Sequence, residues 1–347
     1  MRGVTQARAS RRIGLHVAAG GGLTHRETLD LVRRAEELGY ESVWAGESWG
    51  FDSFTTLAWL AGQTTRIGIG THIATMFSRT PAMTAQSAAS LDTISGGRLT
   101  LGLGTSGPIV VENWHGQRWE QPLQRTREFI EIVRLALSGE RVDYDGKVFR
   151  LRGFRLRDEP PRPEVPVMLA SIGPRNVELT GELAQGWLPI FLRFDALPEM
   201  RTLMEAGAAR SGRDASAIEI APAMLAAASE RTPGTARDLA RAHIAFYAGG
   251  MGTFYNRMLQ RFGWTEEAER IDREWARPNR EGRPAAAAAV TDEMLDSTSA
   301  VGSPAQARER LEAAYAAGVT LPVLMFPYGA DVGVMRDTLE ALAPSRW

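Results

Sequence analysis

From Ile13 to the C-terminus, short apolar β-rich runs alternate with longer segments of helical period, and few folds satisfy that metre. The runs lie at 12–17, 42–45, 66–71, 98–103, 167–170, 186–190, 218–226 and 320–325, each followed by a helical pattern. Eight β-then-α units in one chain predict a closed (β/α)8 TIM barrel, an α/β fold, over an open doubly wound sheet. The helices beginning near Arg26, Pro81, Leu123, Pro174, Pro304 and Asp331 are the clearest. Pro81, Pro174 and Pro304 stand where a helix start loses nothing by lacking an N–H. AEELGY (35–40) and AYAAGV (314–319) place a glycine after the last helical turn, before the next β-branched run.

Two stretches break the metre and are expected as insertions in a single domain over 12–347. Residues 139–157 predict a β-hairpin turning at Asp145-Gly146, whereas 263–303, charged and then alanine-rich, is expected outside the barrel. The alanines at 285–289 predict a weak helix or a loop. Residues 1–11 are expected as a disordered tail, with a nucleic-acid arm of Arg8, Arg11 and Arg12 as the lesser reading. The tail lacks the apolar stretch of a secretory signal, and no run approaches a membrane span, so a cytoplasmic chain without a membrane partner is expected. The chain has 40 Lys and Arg against 41 Asp and Glu, a balance with no global field to draw nucleic acid. Cysteine is absent, which removes disulfides, thiolate metal sites and cysteine nucleophiles together.

A barrel carries its site at the C-terminal ends of its strands, so the residues following each strand matter most. After the second strand come Gly46, Glu47, Ser48 and Trp49; after the third, Thr71, His72 and Ile73. The fourth leads to Thr105, Ser106 and Gly107 and then to Glu112, Trp114 and His115; the fifth leads to Ile172, Gly173, Pro174 and Arg175. Bland readings stand beside the chemical ones. Glu47 is either an arginine-paired loop carboxylate or an acid–base group; His72 is either a structural hydrogen-bonding residue or a ligand contact; Trp49 and Trp114 either cap the barrel or face the substrate.

GLGTSG at 102–107 matches a dinucleotide-binding glycine pattern, but no helix opens at its third glycine, so a turn open to close ligand approach is preferred. SIGPRN at 171–176 is more informative. A glycine and a proline opening a helix present free N–H groups and a positive dipole end, suited to a phosphate, although a plain turn reads the same way. The five histidines, at 16, 25, 72, 115 and 243, make no metal-binding spacing, and no GxSxG elbow occurs, so neither a metal nor a hydrolase triad is expected. Glu128 and Glu131, flanked by Arg127 and Arg134, read as a solvated helix face.

In order, RIGLHV, ELGYESVWAGES, RIGIGTHI, TPAMTAQSAASLDTISGGR, LTLGLGTSGPIVVENWHG and PVMLASIGPRNVELTGELAQGWLP resemble the luciferase-like flavin/deazaflavin oxidoreductases. The resemblance runs from about residue 12 to 343 and is strongest to the coenzyme F420 branch, including methylenetetrahydromethanopterin reductase-like proteins. It implies a (β/α)8 barrel with the deazaflavin across its mouth. It implies that Glu47 and Ser48 form an acidic and polar pair, that Trp49 lies near the substrate, and that a non-prolyl cis peptide at His72–Ile73 bulges against the cofactor. It places Thr71 with that bulge, Thr105, Ser106 and Gly107 beside the cofactor, and Ile172, Gly173, Pro174 and Arg175 at its phosphate.

FMN-using relatives tend to show a QAGSS-like segment where this chain reads LASIGPRN, which favours coenzyme F420 over FMN. The implied activity is hydride transfer between the deazaflavin and a small organic substrate, with Glu47, Trp49, His72 and His115 as candidate catalytic residues. Pro108 stands where sugar-phosphate dehydrogenases of the family carry a glutamate, which argues against that substrate. An FMN-dependent monooxygenase and a non-catalytic deazaflavin carrier are the alternatives. Relatives suggest a homodimer.

Overall fold

The computed structural model of the chain describes residues 11–17 and 22–346. Its strands are β1 Gly14–His16, β2 Ser42–Ala45, β3 Gly68–Thr71, β4 Ala74–Thr75, β5 Leu99–Gly104, β6 Val142–Asp145, β7 Arg150–Phe154, β8 Val167–Leu169, β9 Gly186–Trp187, β10 Glu219–Ile220, β11 Ala223–Ala228, β12 Ala300–Gly302 and β13 Val323–Met325. Neighbours in the main sheet run β10-β9-β8-β5-β3-β2-β1-β13-β11-β12, all parallel. Residues 219–228 close the ring, because β10 pairs with β9 at one end and β11 pairs with β13 at the other. The hydrogen bond from Ala223 N to Pro189 O, at 2.7 Å, seals the seam.

Sheet pleat divides the core in two. Trp44, Met168, Leu188, Ala221, Leu321 and Val323 fill the barrel, while the larger apolar cluster lies between the strands and the surrounding helices. Trp44 is accommodated by its neighbours. A Cβ at Gly70 would lie 2.2 Å from its ring, and one at Gly14 would lie 2.9 Å from it, so these strands carry glycine where the indole crosses. The helices at His25–Leu38, Pro81–Ser95 and Pro304–Ala317 start at threonine or serine caps and end at left-handed glycines, as their sequence signals require.

The insertions differ from expectation in instructive ways. β6 and β7 form the hairpin, but its loop is longer than an Asp-Gly turn and is closed by Gly146 N donating to Phe149 O at 2.9 Å. Glu128 is not solvated. Only 1% exposed, it accepts hydrogen bonds from the N–H groups of Lys147, Val148 and Phe149 at 2.7–2.9 Å, so it holds the hairpin against helix Pro122–Leu137.

Residues 263–303 are only partly outside the barrel sheet. Helices Thr265–Trp275, Arg283–Ala288 and Asp292–Thr298 pack against helix Pro233–Gly250, and β12 then pairs with β11. The alanines that read as a weak helix or a loop do form a helix, because Ala286, Ala289 and Val290 are buried in a third apolar cluster with Ile271 and Leu295. Residues 1–10 of the expected tail lie outside the described residues. Arg11 stacks on the Tyr315 ring and pairs with Glu312, and Arg12 pairs with Glu41 and Glu219, so neither is a free arm.

Candidate active site

A cavity of about 870 Å³ opens at the C-terminal ends of the strands, in the size range of small-molecule sites. Its first wall comes from the strand-end loops. The His72–Ile73 peptide is cis, at the position the sequence resemblance indicated, and both residues line the cavity. Close crossings surround it. A Cβ at Gly46 would lie 2.1 Å from the His72 carbonyl oxygen, and one at Gly102 would lie 1.9 Å from that of Thr71, so only glycine fits either position. His16, at the end of β1, donates from Nε2 to the His72 carbonyl at 3.2 Å and packs edge-on against the His72 ring. Burial keeps both rings neutral, lowering their pKa values to about 4 for His16 and about 3 for His72.

Glu47 lines the cavity with Ser48 and Trp49, yet its carboxylate is fully engaged. It ion-pairs with Arg79 at 2.5 Å, accepts from Ser53 Oγ at 2.9 Å and receives the Thr75 N–H at 3.3 Å. Arg79 also pairs with Asp52. A carboxylate so held is an anchor for the loop after β2. The arginine partner that the sequence left open is therefore Arg79.

The loop after β8 leads into helix Pro174–Leu183, whose N-cap is Gly173. No side chain caps this helix, and a Cβ on Gly173 would meet nothing within 4 Å. Asn176 lines the cavity with a buried Oδ1 that has no partner among the described residues, in an amide whose two ends are interchangeable by a flip. Arg175 lines the cavity beside it, and Arg261, from helix Thr253–Arg261, donates to the Ile172 carbonyl at 3.1 Å. Uncapped N–H groups, an unpaired amide and adjacent guanidiniums make a fitting place for a phosphodiester. Thr105, Ser106 and Gly107 complete this wall, with Ser106 in the left-handed region at φ 54°.

Another wall is aromatic and adjoins the first, its Phe246 ring lying 6.2 Å from Trp49 of the loop after β2. Helix Pro233–Gly250 contributes His243, Phe246 and Tyr247, Tyr255 follows from the next helix, and Phe326 and Tyr328 come from the loop after β13. The His243 ring stacks on Tyr328 at 4.2 Å and Tyr247 at 5.2 Å, and burial lowers its pKa to about 3. Trp275 braces this wall from behind, lying 5.9 Å from Phe246 and filling the space that a Cβ at Gly249 would need.

The structure thus brings twelve of the fourteen sequence-predicted site residues to one cavity, with Thr71 and His115 off its lining. Thr71 is buried beneath, its hydroxyl bonded to the Gly102 carbonyl at 2.7 Å. His115 ends the π-helical turn Ile109–Trp114, and Trp119 lines the cavity instead, stacked on Phe77. Sequence reasoning missed His16 although the strand-end rule applied to it. No local motif marked His243, Trp119 or Arg261, whereas Asn176 closed the SIGPRN run without being assigned a role.

The family model for luciferase-like monooxygenases matches residues 8–321. A Mycobacterium tuberculosis protein, provisionally named a coenzyme F420-dependent oxidoreductase, is 35% identical over 91% of this chain and 95% of its own length. The 5,10-methylenetetrahydromethanopterin reductase of Archaeoglobus fulgidus is 31% identical over 86% of this chain and 89% of its own. Among solved structures, the coenzyme F420-dependent tetrahydromethanopterin reductase of Methanopyrus kandleri superposes with a TM-score of 0.82 at 23% identity, covering 96% of this chain and 98% of that one. By its sequence, its barrel and the match over most of its length, the chain belongs to the luciferase-like monooxygenase family.

Proposed function

We propose that this chain is a coenzyme F420-dependent oxidoreductase that moves a hydride between the deazaflavin and a small organic substrate. The observation that carries the reading is the helix start at 173–176. Open space at Gly173, an unpartnered Asn176 amide and the Arg175 guanidinium converge there on one rim of the cavity. The names of the relatives described above support the same cofactor. When bound, a deazaflavin supplies a ring carbon that accepts or gives a hydride.

The protein's part is to bind, orient and exclude water. Gly173, Pro174, Arg175 and Asn176 would hold the phosphate end, with Ile172 and Arg261 behind them. His72 and Ile73, backed by His16, would form the wall for the ring system, while Thr105, Ser106 and Gly107 close its side. Glu47 fixes the loop that presents Ser48 and Trp49. Neutral histidines avoid burying an unpaired charge beside a reacting centre.

Titration of the purified protein with oxidised coenzyme F420 and, separately, FMN tests this reading. Deazaflavin binding at least about tenfold tighter than FMN is expected, followed by hydride exchange with an added electrophile. Preference for FMN with oxygen consumption would overturn the cofactor assignment, and tight F420 binding without exchange to any electrophile would reduce the protein to a carrier.

A further inference from the structure

The aromatic wall carries three tyrosine hydroxyls and one histidine, and of these the histidine has a buried ring nitrogen without a partner among the described residues. Tyr328 N–H donates to His243 Nδ1 at 3.1 Å, so Nδ1 bears the lone pair and the neutral ring carries its proton on Nε2. Nε2 is buried and has no partner among the described residues. A buried donor left unpaired is costly and rare, which points to an acceptor brought by a ligand. Stacking between Tyr247 and Tyr328 fixes the ring plane, so the donor is aimed in advance.

Charge narrows the ligand. Among the described residues that line the cavity only Glu47 and Arg175 are charged, Glu47 is committed to Arg79, and Arg175 belongs to the helix start after β8. A carboxylate or phosphate lodged against the aromatic wall would be desolvated without a cation. The apolar and aromatic surface there favours a flat, uncharged molecule.

Resting on the hydride-transfer reading, we propose that this wall is the substrate subsite, that it takes an uncharged, largely apolar carbonyl compound or its alcohol, and that His243 Nε2–H holds the substrate oxygen. His243 polarises that oxygen through the hydrogen bond and does not transfer its own proton. Its Nδ1 is tied to the Tyr328 N–H, so it cannot take up another proton in exchange. As the carbonyl carbon gains the hydride, the C=O π bond opens to an alkoxide that takes its proton from water, and the alcohol returns that proton to water in the reverse direction.

The experiment uses the full chain loaded with coenzyme F420, with acetophenone as the neutral probe and benzoate and glucose 6-phosphate as charged ones. Binding is followed by equilibrium titration, and the ring nitrogens are followed by 15N NMR of histidine-labelled protein. Acetophenone should bind in preference to both anions and shift an Nε2–H signal that is absent in His243→Phe. That variant keeps the stack and should bind acetophenone about tenfold more weakly, the loss of one buried hydrogen bond. Preference for either anion, failure to bind acetophenone, or a variant as tight as wild type would each overturn the inference. Binding of coenzyme F420 itself is read in the same samples. If the wild-type chain fails to take it up, the parent reading fails, whereas uptake with the wrong probe preference sinks only the subsite.

Discussion

The two walls of the barrel mouth are built on different principles. The strand-end wall consists of short loops whose glycines permit backbone crossings, Gly46 against the His72 carbonyl and Gly102 against that of Thr71, and it ends at an uncapped helix start. The aromatic wall consists of side chains on helix Pro233–Gly250 and the loop after β13, braced by Trp275 from a later insertion. Backbone features suit a ligand with a fixed anionic group; side-chain surface suits ligands that differ between relatives. A division of labour follows, with the cofactor on the first wall and the substrate on the second.

The sharpest way to break that division is Gly173→Asp. The new carboxylate has room, would cap helix Pro174–Leu183 and would occupy the phosphate position. Coenzyme F420 affinity should fall by about 100-fold or more, the cost of placing a like charge against the phosphate, while stability rises by about 1 kcal/mol. Opposite signs in titration and thermal melting would separate a blocked site from a damaged fold.

Trp275→Ala probes the other wall. It removes the brace behind Phe246 and should cost about 3 kcal/mol of stability, with coenzyme F420 affinity changed less than about threefold because no phosphate contact is touched. A large loss of cofactor binding would show that the walls are not independent.

Glu47→Gln distinguishes an anchor from an acid. It keeps the contact with Ser53 but weakens the pair with Arg79, so a destabilisation of about 1–2 kcal/mol and a less than tenfold loss of hydride-transfer rate are expected. A loss of about 100-fold at unchanged stability would return Glu47 to acid–base chemistry.

A pH dependence spreads over both walls. His16, His72 and His243 have folded pKa values of about 4, about 3 and about 3, below the ordinary histidine value near 6.5. Below pH 6.5 the unfolded chain therefore binds protons that the folded chain refuses. Stability should fall as pH drops from about 6.5 towards 4, by up to about 1.4 kcal/mol per pH unit for each histidine. Denaturant melts across that range should show a slope reduced by one proton in His243→Phe. An unchanged slope would mean that His243 is solvated.

The same contrast explains what could be read from the chain. The barrel followed from its metre, and the first wall followed from rules tied to local backbone, such as glycine-proline at a helix start and residues placed directly after strands. Thr71 obeyed the positional rule yet points beneath the mouth, because alternate side chains at a strand end face opposite sides. His115 was offered by its nearness in sequence to the loop after β5, and the π-helical turn over Ile109–Trp114 brings Trp119 to the cavity instead. His243 had no local signal. It sits mid-helix in a run, HIAFYAGG, whose pattern is that of any packed helix, and only tertiary placement puts its ring between Tyr247 and Tyr328. Glu128, likewise, looked solvated because its partners, the N–H groups of residues 147–149, are remote in sequence and belong to the backbone.

The most direct test of the division is coenzyme F420 affinity measured side by side in wild type, Gly173→Asp and His243→Phe, with FMN as the control ligand. The account predicts tight deazaflavin binding in wild type and in His243→Phe, and its loss in Gly173→Asp. Equal retention in both variants, or equal loss in both, would contradict it.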